Sequence, residues 1–484
     1  MIVWLRRWSI AAALVLAASA SGQTPAVASD EEPTEQSPPK PDVSPSSDRE
    51  DLEDLLFGAP DADGPPGDGP AEPTGPAPGI DQDLLDFEPL SLGGQAYFRS
   101  SFPFVDRGSF GKQQLSMPNL LDIYLDARPE DRVRAFIQGR LSYDPTVGAS
   151  SVDALGNPRK STSVALDQLW LKTDIARIVF LTVGKERIKW GSSRIWNPTD
   201  VVNNQRRDPV AFLDVRLGVP VVKVHVPWES MNFYGLLLPG GSGRYDELAA
   251  AFRAEFAFPS FELSASALAG SGRKTTFGLD LSAAVGPLDV TVEAALIDER
   301  DTIRYSGNFD LNTFDLPVGT PDGNWRPSIT FGMGHTFNVF DNDVFILGAE
   351  YFWNPGGSDD VKLYPFQILT GSLQPFYLGK HYAALFMLLP SPGSWDRMTF
   401  NLSAIGNLSD QSFIMRFDTI ATIHTRLRLE AFVQGHVGQR GGEFRFAMEV
   451  PDLPPIPGVL PNGLQAFAIA APVLSLGVNL RLAL

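Results

Sequence analysis

Basic and aromatic side chains concentrate in one stretch of the chain, residues 185–209, which reads KERIKWGSSRIWNPTDVVNNQRRDP. It holds six Lys or Arg, three Asp or Glu, and two Trp. Guanidinium and ammonium groups bind carboxylate and phosphate oxygens, and rings of such groups in a pore select for anions. The stretch is therefore a candidate anion-selecting constriction. Its candidate residues are Arg187, Lys189, Trp190, Arg194, Trp196, Asn197, Asp200, Arg206 and Arg207.

This stretch has the sequence of a long connection between two strands. Residues 177–185, RIVFLTVGK, predict a strand, and the alternation of polar and apolar residues stops after Trp190. Gly191, Asn197-Pro198 and Asn203-Asn204 are residues typical of turns. An apolar run, LGVPVVKVHVP, begins at Leu217. A connection from about 190 to 215 is long for a compact domain, and such loops are usually functional or disordered. The Arg and aromatic residues favour a functional loop.

The rest of the chain after Leu92 alternates between apolar and polar residues. In residues 472–484, PVLSLGVNLRLAL, every second residue from Leu474 to Leu484 is apolar, and Ser475, Asn479 and Arg481 lie between them. Residues 132–143 and 422–437 show the same period. Successive side chains of a strand point to opposite faces, so each segment predicts a strand with one apolar and one polar face.

Alternation alone fits both a soluble β-sandwich and a membrane barrel. Apolar faces about ten residues long match a tilted strand that crosses a bilayer. Aromatic residues in 227–234, 350–355 and 375–382 are expected to form interfacial girdles. The polar faces carry charges of both signs, which suits a water-filled interior. We therefore expect an all-β, transmembrane, antiparallel up-and-down barrel of about 16–18 strands, enough to leave an aqueous channel.

Further arginines on the predicted polar faces extend the candidate lumen site. They are Arg132, Arg134, Arg140, Arg426 and Arg428. Two interpretations stay open. The arginines line a positive track, with Trp190 and Trp196 stacking on sugar rings, or they are structural. In the structural interpretation the wall arginines pair with Asp122, Asp126, Asp167 and Glu430, and Asp200 pairs with Arg194 or Arg206, while the tryptophans wedge the loop against the wall.

The two ends of the chain predict export to an outer membrane. Arg6 and Arg7 precede a short apolar run, and small-residue cleavage sites end at Ala20 and Ala28, so residues 1–28 predict a signal peptide. The chain has no cysteine, which excludes disulfides and lipidation at an N-terminal Cys. Residues 472–484 resemble the last strand of bacterial outer-membrane barrels, which serves as a signal for the barrel-assembly machinery. That strand usually ends in Phe, where this chain has Leu484.

Residues 29–89 predict a disordered, acidic, Pro-rich segment. Positions 30–89 contain eighteen Asp or Glu, two Lys or Arg, and thirteen Pro. The net −16 of this tail and the +2 of the leader leave −4 of the total −18 for the barrel, residues 90–484. The elements EDLLFGAP and QDLLDFEP in the tail are docking motifs for a periplasmic partner or chance clusters. The sequence near Asp61 lacks the later ligands of a calcium loop.

The constriction stretch also resembles a family of uncharacterised, porin-like outer-membrane barrels. Members carry a strand that ends in Gly and a basic residue, then W-G, N-P-x-D-V and a G-V-P return strand. Here these motifs are Gly184-Lys185, Trp190-Gly191, residues 197–201 (NPTDV) and residues 218–220 (GVP), about forty residues in all. The resemblance implies an outer-membrane barrel and no particular substrate.

These observations predict a non-enzymatic channel. No G-x-S-x-G or H-E-x-x-H motif, phosphate loop or metal cluster accompanies the five His, so we expect no catalytic residues, metal or other cofactor, and no nucleic-acid partner. We expect a porin-like channel for small, anionic solutes in a Gram-negative outer membrane, in contact with its lipid, with the tail in the periplasm. The alternatives are an occluded structural or binding barrel whose tail docks a periplasmic partner, and a secreted soluble β-protein.

Overall fold

A computed structural model gives the structure of the chain. It describes residues 90–108, 115–148, 159–203, 205–240, 244–310, 313, 315–339, 343–369, 375–452 and 466–484. The predicted signal peptide, the acidic tail, its two docking elements and the sequence near Asp61 all lie outside the described residues.

The strands follow one another along the chain with little helix between them. Their bounds are β1 Leu90–Val105, β2 Asn119–Glu130, β3 Val133–Tyr143, β4 Thr162–Ile175, β5 Val179–Glu186, β6 Val219–Trp228, β7 Met231–Leu238, β8 Ala249–Phe258, β9 Phe261–Gly270, β10 Thr276–Val285 and β11 Leu288–Asp298. They continue as β12 Ile303–Ser306, β13 Val318–Pro321, β14 Trp325–Val339, β15 Asp343–Trp353, β16 His381–Pro390, β17 Met398–Asn407, β18 Ser412–His424, β19 Leu427–Gly438, β20 Met448–Val450, β21 Phe467–Ile469 and β22 Pro472–Ala483.

Eighteen of these strands form one closed antiparallel barrel. Each barrel strand pairs with the next one in the chain, and β12–β13 and β20–β21 form two separate hairpins outside the barrel sheet. The barrel closes where the last strand meets the first: Ala483 lies opposite Gln95, and Leu474 lies opposite Phe104. Closure leaves the sheet no unpaired edge. The predicted up-and-down barrel is confirmed, with a strand number at the upper end of the expected range.

The two faces of the wall have the polarity that the alternation predicts. Large apolar side chains point outward and are exposed, as with Leu92, Val164 and Leu385. Polar and charged side chains point inward and are buried, as with Asp122 and Glu293. This is the reverse of a soluble β-sandwich, which buries its apolar faces. The third alternative of the sequence analysis, a soluble secreted protein, does not fit an apolar outer wall of this extent.

The two ends of the barrel differ in the length of their connections. Turns of two or three residues join β2–β3, β4–β5, β6–β7, β8–β9 and β10–β11 at one end. Residues 187–218, 299–324, 354–380 and 439–471 connect strands at the other, the long-loop end. These connections contain the helix α1 Tyr364–Leu369 and 3-10 turns at Val361–Leu363 and Glu443–Arg445. No helix in the described ranges is long and apolar enough to cross a membrane.

Two local expectations need correction. β5 begins at Val179 rather than at Arg177, because Ala176 and Arg177 adopt positive φ angles of 57° and 56° and belong to the preceding turn. The aromatic residues of 350–355 and 375–382 do not all face outward as a girdle would. Phe352 and Tyr382 are buried inside the barrel, because a strand directs alternate side chains inward and the interior here holds a packed segment of chain.

Candidate functional site

Residues 187–218, which we call the constriction segment, connect β5 to β6 and lie inside the barrel. Their contacts reach widely separated parts of the wall. The Arg194 guanidinium lies 4.1 Å from the ring centre of Phe386 on β16, and the Phe212 ring lies 6.2 Å from that of Phe432 on β19. Leu213 packs with Tyr97 of β1. The segment therefore crosses the lumen.

Glu293 of β11 is the first wall anchor of this segment. Its carboxylate is fully buried and accepts hydrogen bonds from the backbone N–H of Ser193 at 2.6 Å and the Thr199 hydroxyl at 2.8 Å. Gly191 allows this close approach: its φ is +100°, and a Cβ there would lie 2.7 Å from Glu293 Oε1. Backbone N–H donors that lack partners in a loop are thus satisfied by a wall carboxylate.

Glu350 of β15 is the second anchor and holds the next three backbone amides. Its Oε2 accepts from the N–H of Arg194 at 2.9 Å, and its Oε1 accepts from those of Ile195 at 3.2 Å and Trp196 at 2.7 Å. Charge-assisted hydrogen bonds of this kind are stronger than neutral ones. The two carboxylates therefore fix the path of residues 193–199 across the lumen.

Both tryptophans of the constriction segment are wedged into the barrel interior. Trp190 belongs to a buried apolar cluster with Val202 and Leu236. Trp196 is fully buried, stacks on Phe352 with ring centres 5.6 Å apart and lies 5.5 Å from the ring of Tyr382. A fully buried indole cannot stack on a passing sugar ring. The wedge interpretation therefore describes Trp196.

Asp200 pairs with a residue outside the predicted candidates. Its partner is Arg216, which also bonds Asp214 through Nε at 2.8 Å, in place of the expected Arg194 or Arg206. Burial acts to raise the pKa of Asp214, but hydrogen bonds from Arg216 outweigh it and lower that pKa to about 2. Burial acts to lower the pKa of Arg216, but the charge of Asp200 and the bonds to Asp214 outweigh it, so the pKa is raised. The triad ties the two arms of the constriction segment together.

Ion pairs connect most of the inward-facing arginines to carboxylates. Arg140 bonds Asp122 at 2.8 Å and Asp167 at 2.7 Å, and Arg187 also pairs with Asp167. Further pairs of the wall are Arg134–Asp126, Arg253–Asp280, Arg416–Asp418 and Arg481–Glu430. Three of the four acids named in the structural interpretation, Asp122, Asp126 and Asp167, thus pair with candidate arginines, and Glu430 pairs with Arg481.

The other candidate residues lie in different environments. Lys189 is exposed on the constriction segment, and the Arg206 guanidinium lies 4.8 Å from the ring centre of Tyr377. Arg207 is half-buried on the same segment, and Arg428 is half-buried on β19. Arg132 and Arg426 occupy the turns before β3 and before β19, so they lie at the barrel end rather than on strand faces. Asn197 is buried beside Gly191.

Three residues that organise the site, Glu293, Glu350 and Arg216, were not among the predicted site residues. Glu293 and Glu350 are single acids on polar strand faces, in VTVEAAL and LGAEYFW, and their only signal is an inward position by alternation. Arg216 lies seven residues beyond the quoted stretch, in DVR. The only indication in the sequence is that Arg216 is a charged residue of the long connection, which ends at Gly218. None of the three stands out by motif.

A cavity lies between residues 209–212 of the constriction segment and the wall. β17 and β18 contribute Asn401, Ser403, Arg416 and Asp418 to its polar side. Phe212 and Phe386 contribute apolar surface. The cavity shows that the segment leaves space beside β17 and β18.

The comparisons with known proteins concern solved structures. No protein-family model matches the chain, and no curated protein matches it. The chain is similar to Acinetobacter baumannii OccAB1, with a TM-score of 0.49, 9% identity, and 81% of this chain and 96% of that chain covered. It is also similar to the outer membrane protein opdK from Pseudomonas aeruginosa, with a TM-score of 0.47 and 8% identity. The match covers 81% of this chain and 98% of that chain. A mutant of Rh. blastica porin matches with a TM-score of 0.38 and 11% identity. This match covers 82% of this chain and 100% of that chain. At these identities the similarity concerns the fold alone, and the closed barrel described here rests on its own strand pairing.

Proposed function

We propose that the chain is an outer-membrane channel of the porin-like kind, which passes small solutes through a lumen narrowed by the constriction segment. The observation that carries this proposal is the polarity of the closed wall. Apolar side chains such as Val164, which is 80% exposed, cover the outside, and charged side chains cover the inside. A barrel with this polarity is stable in lipid and holds water.

A preference for small anions is the finer part of the proposal. Residues 187–218 carry six Lys or Arg and three Asp, a net charge of +3 on the segment that crosses the lumen. The wall arginines Arg140, Arg253 and Arg416 are paired with carboxylates and add little net field. The exposed ammonium of Lys189 and the half-buried Arg206 are the cations best placed to meet a solute.

The second candidate function is an occluded barrel that binds or supports a partner. One observation favours it: the constriction segment bonds or packs against wall strands on several sides of the lumen, through Glu293, Glu350 and Phe212. In this proposal the acidic tail, residues 29–89, would lie in the periplasm and dock a partner there. Recognition of residues 472–484 by the barrel-assembly machinery is proposed for both candidates.

Charge reversal in the constriction segment tests the anion preference. The reversal potential of the refolded protein would be measured in planar bilayers under a KCl gradient, for wild type and for Lys189→Glu and Arg206→Glu. We expect each substitution to shift the reversal potential toward cation selectivity. Arg244→Glu is the matched control, because the Arg244 side chain is exposed in a connection at the long-loop end, where it pairs with the neighbouring Asp246. Equal shifts from all three variants would contradict a selective constriction.

A further inference from the structure

Phe376 links the long-loop end of the barrel to the constriction segment. Its carbonyl oxygen accepts a hydrogen bond from the Trp196 indole Nε1 at 3.2 Å. Its backbone N–H donates to the carboxylate of Glu443. The φ of Phe376 is 67°, in the left-handed region that a bulky residue seldom adopts. The bonds on both sides therefore hold this residue in an unfavourable conformation.

Glu443 lies at the centre of a buried polar cluster at the start of the 3-10 turn Glu443–Arg445. Its Oε2 accepts hydrogen bonds from the Tyr382 hydroxyl at 2.6 Å and from Asn407 Nδ2 at 2.9 Å. The same Asn407 amide donates to Asp410 Oδ2 at 3.0 Å, and Asp410 Oδ2 accepts from the Glu443 N–H at 2.7 Å. Two buried carboxylates thus share one side-chain amide.

No cation offsets these two carboxylates, because no salt bridge joins either to a Lys, Arg or His in the part of the chain that the structure describes. The groups that face Glu443 are Asp410 of the 408–411 turn, Tyr382 of β16 and Tyr364 of α1. The His436 ring bonds the carbonyl oxygen of Phe444, and the Arg445 guanidinium lies 3.7 Å from the carboxylate of Asp106. Burial raises the pKa of Glu443 to about 8; the charge of Asp410 adds to this, against the hydrogen bonds from Tyr382 and Asn407.

We propose that Glu443, beside Asp410, forms a pH-sensitive latch that holds residues 375–380 and 439–446 over the constriction segment and releases them when Glu443 ionises. A carboxyl whose folded-state pKa is raised stabilises the closed arrangement fully below its ordinary pKa, and this stabilisation is lost as the pH rises through the folded value. The window here runs from 4.5 to about 8. The latch is closed at pH 6 and released at pH 9. Its effect on current rests on the proposed channel function.

Hydrogen exchange of the refolded full chain tests the latch directly. Protection factors, corrected for the intrinsic exchange rate, would be measured at pH 6 and pH 9 for peptides covering 375–380 and 439–446. In wild type we expect protection to fall about tenfold or more. Glu443→Gln keeps a similar shape but cannot ionise, so its protection stays the same at both pH values. Glu449→Gln is the matched control, because Glu449 is exposed on the same connection, and it behaves as wild type.

A second variant keeps the test decisive if Glu443→Gln does not fold. Asp410→Asn removes the neighbouring charge, so we expect a smaller fall in protection that ends at a lower pH. Equal protection of wild type at pH 6 and pH 9, or an undiminished fall in Glu443→Gln, would overturn the latch. Hydrogen exchange can be measured whether or not the barrel conducts. A barrel that passes no current but shows the Glu443-dependent fall in protection would contradict the channel alone. A conducting barrel without that fall would contradict the latch alone.

Discussion

The backbone N–H of Ser193 lies 2.6 Å from the Glu293 carboxylate, although the two residues are 100 positions apart. With the bonds from residues 194–196 to Glu350, this contact turns a long connection into a fixed part of the barrel interior. The selectivity proposed for the lumen depends on this position, because the basic residues of the constriction segment are carried across the lumen by the same backbone.

Replacing Glu293 tests its role as an anchor. In Glu293→Gln an NH2 group replaces one acceptor oxygen, so either Ser193 or Thr199 faces a donor instead of an acceptor. An unsatisfied buried donor costs about 1–3 kcal/mol. We expect amide exchange of residues 193–199 to rise about tenfold or more and current fluctuations to increase. Asp289→Asn is the control on the same face of β11, where the side chain is exposed. Similar exchange in both variants would argue against the anchor.

Gly191→Ala is expected to displace the constriction segment. The φ of +100° disfavours any residue with a Cβ, and the new methyl group would lie 2.6 Å from Asn197 Oδ1. Strain of this kind costs about 1–3 kcal/mol. The urea midpoint of the folded, heat-modifiable barrel should fall, whereas Gly235→Ala should leave it unchanged, because no atom lies within 4 Å of a Cβ built there. Equal midpoints for both variants would show that the segment tolerates the methyl group.

Arg140→Met removes the shared partner of Asp122 and Asp167. Breaking a buried ion pair by removing one member typically costs about 3–5 kcal/mol, because a buried charge is left uncompensated. We expect a loss of this size in the free energy of unfolding in urea. Arg244→Met provides the control: its salt bridge to Asp246 is exposed, and exposed pairs contribute little to stability. A loss for Arg140→Met no larger than that of the control would rule out a structural role for the pair.

Acid should loosen the constriction segment through Asp214. Burial acts to raise the pKa of Asp214, but the hydrogen bonds and charge of Arg216 outweigh it and lower the pKa from 3.8 to about 2. Its contribution is therefore complete above about 3.8 and is lost as the pH falls toward 2. We expect current fluctuations to increase between pH 4.5 and pH 2.5 in wild type. Asp214→Asn should fluctuate more already at pH 4.5 and change less on acidification; a full acid response in this variant would assign the effect to another group.

The barrel could be predicted from the sequence because it depends on local alternation. In residues 474–484 every second residue is apolar, and Val478 and Leu482 are exposed whereas Asn479 and Arg481 are buried. The same rule of parity places Asp122 and Arg140 in the lumen. The path of the constriction segment could not be predicted in this way. Its anchors, Glu293 and Glu350, are distant in sequence and become neighbours of residues 193–199 only when the sheet closes.

The sequence also could not predict which residues form ion pairs inside the lumen. Asp200 had several basic residues nearby, and its pairing with Arg216 depends on how the two arms of the loop meet. The aromatic residues near 352 and 382 were assigned to a membrane girdle by composition, but parity and the presence of Trp196 inside the barrel bury them. Side chains that pack against a long loop carry no periodic signal that distinguishes them from lipid-facing ones.

Single-channel recording of the refolded protein in a planar bilayer under a KCl gradient tests the central claim most directly. We predict steady current through individual channels, with a reversal potential that shows preference for chloride over potassium. A barrel that migrates as a folded, heat-modifiable species and yet passes no current would contradict the channel and favour an occluded barrel, in which the constriction segment is a plug.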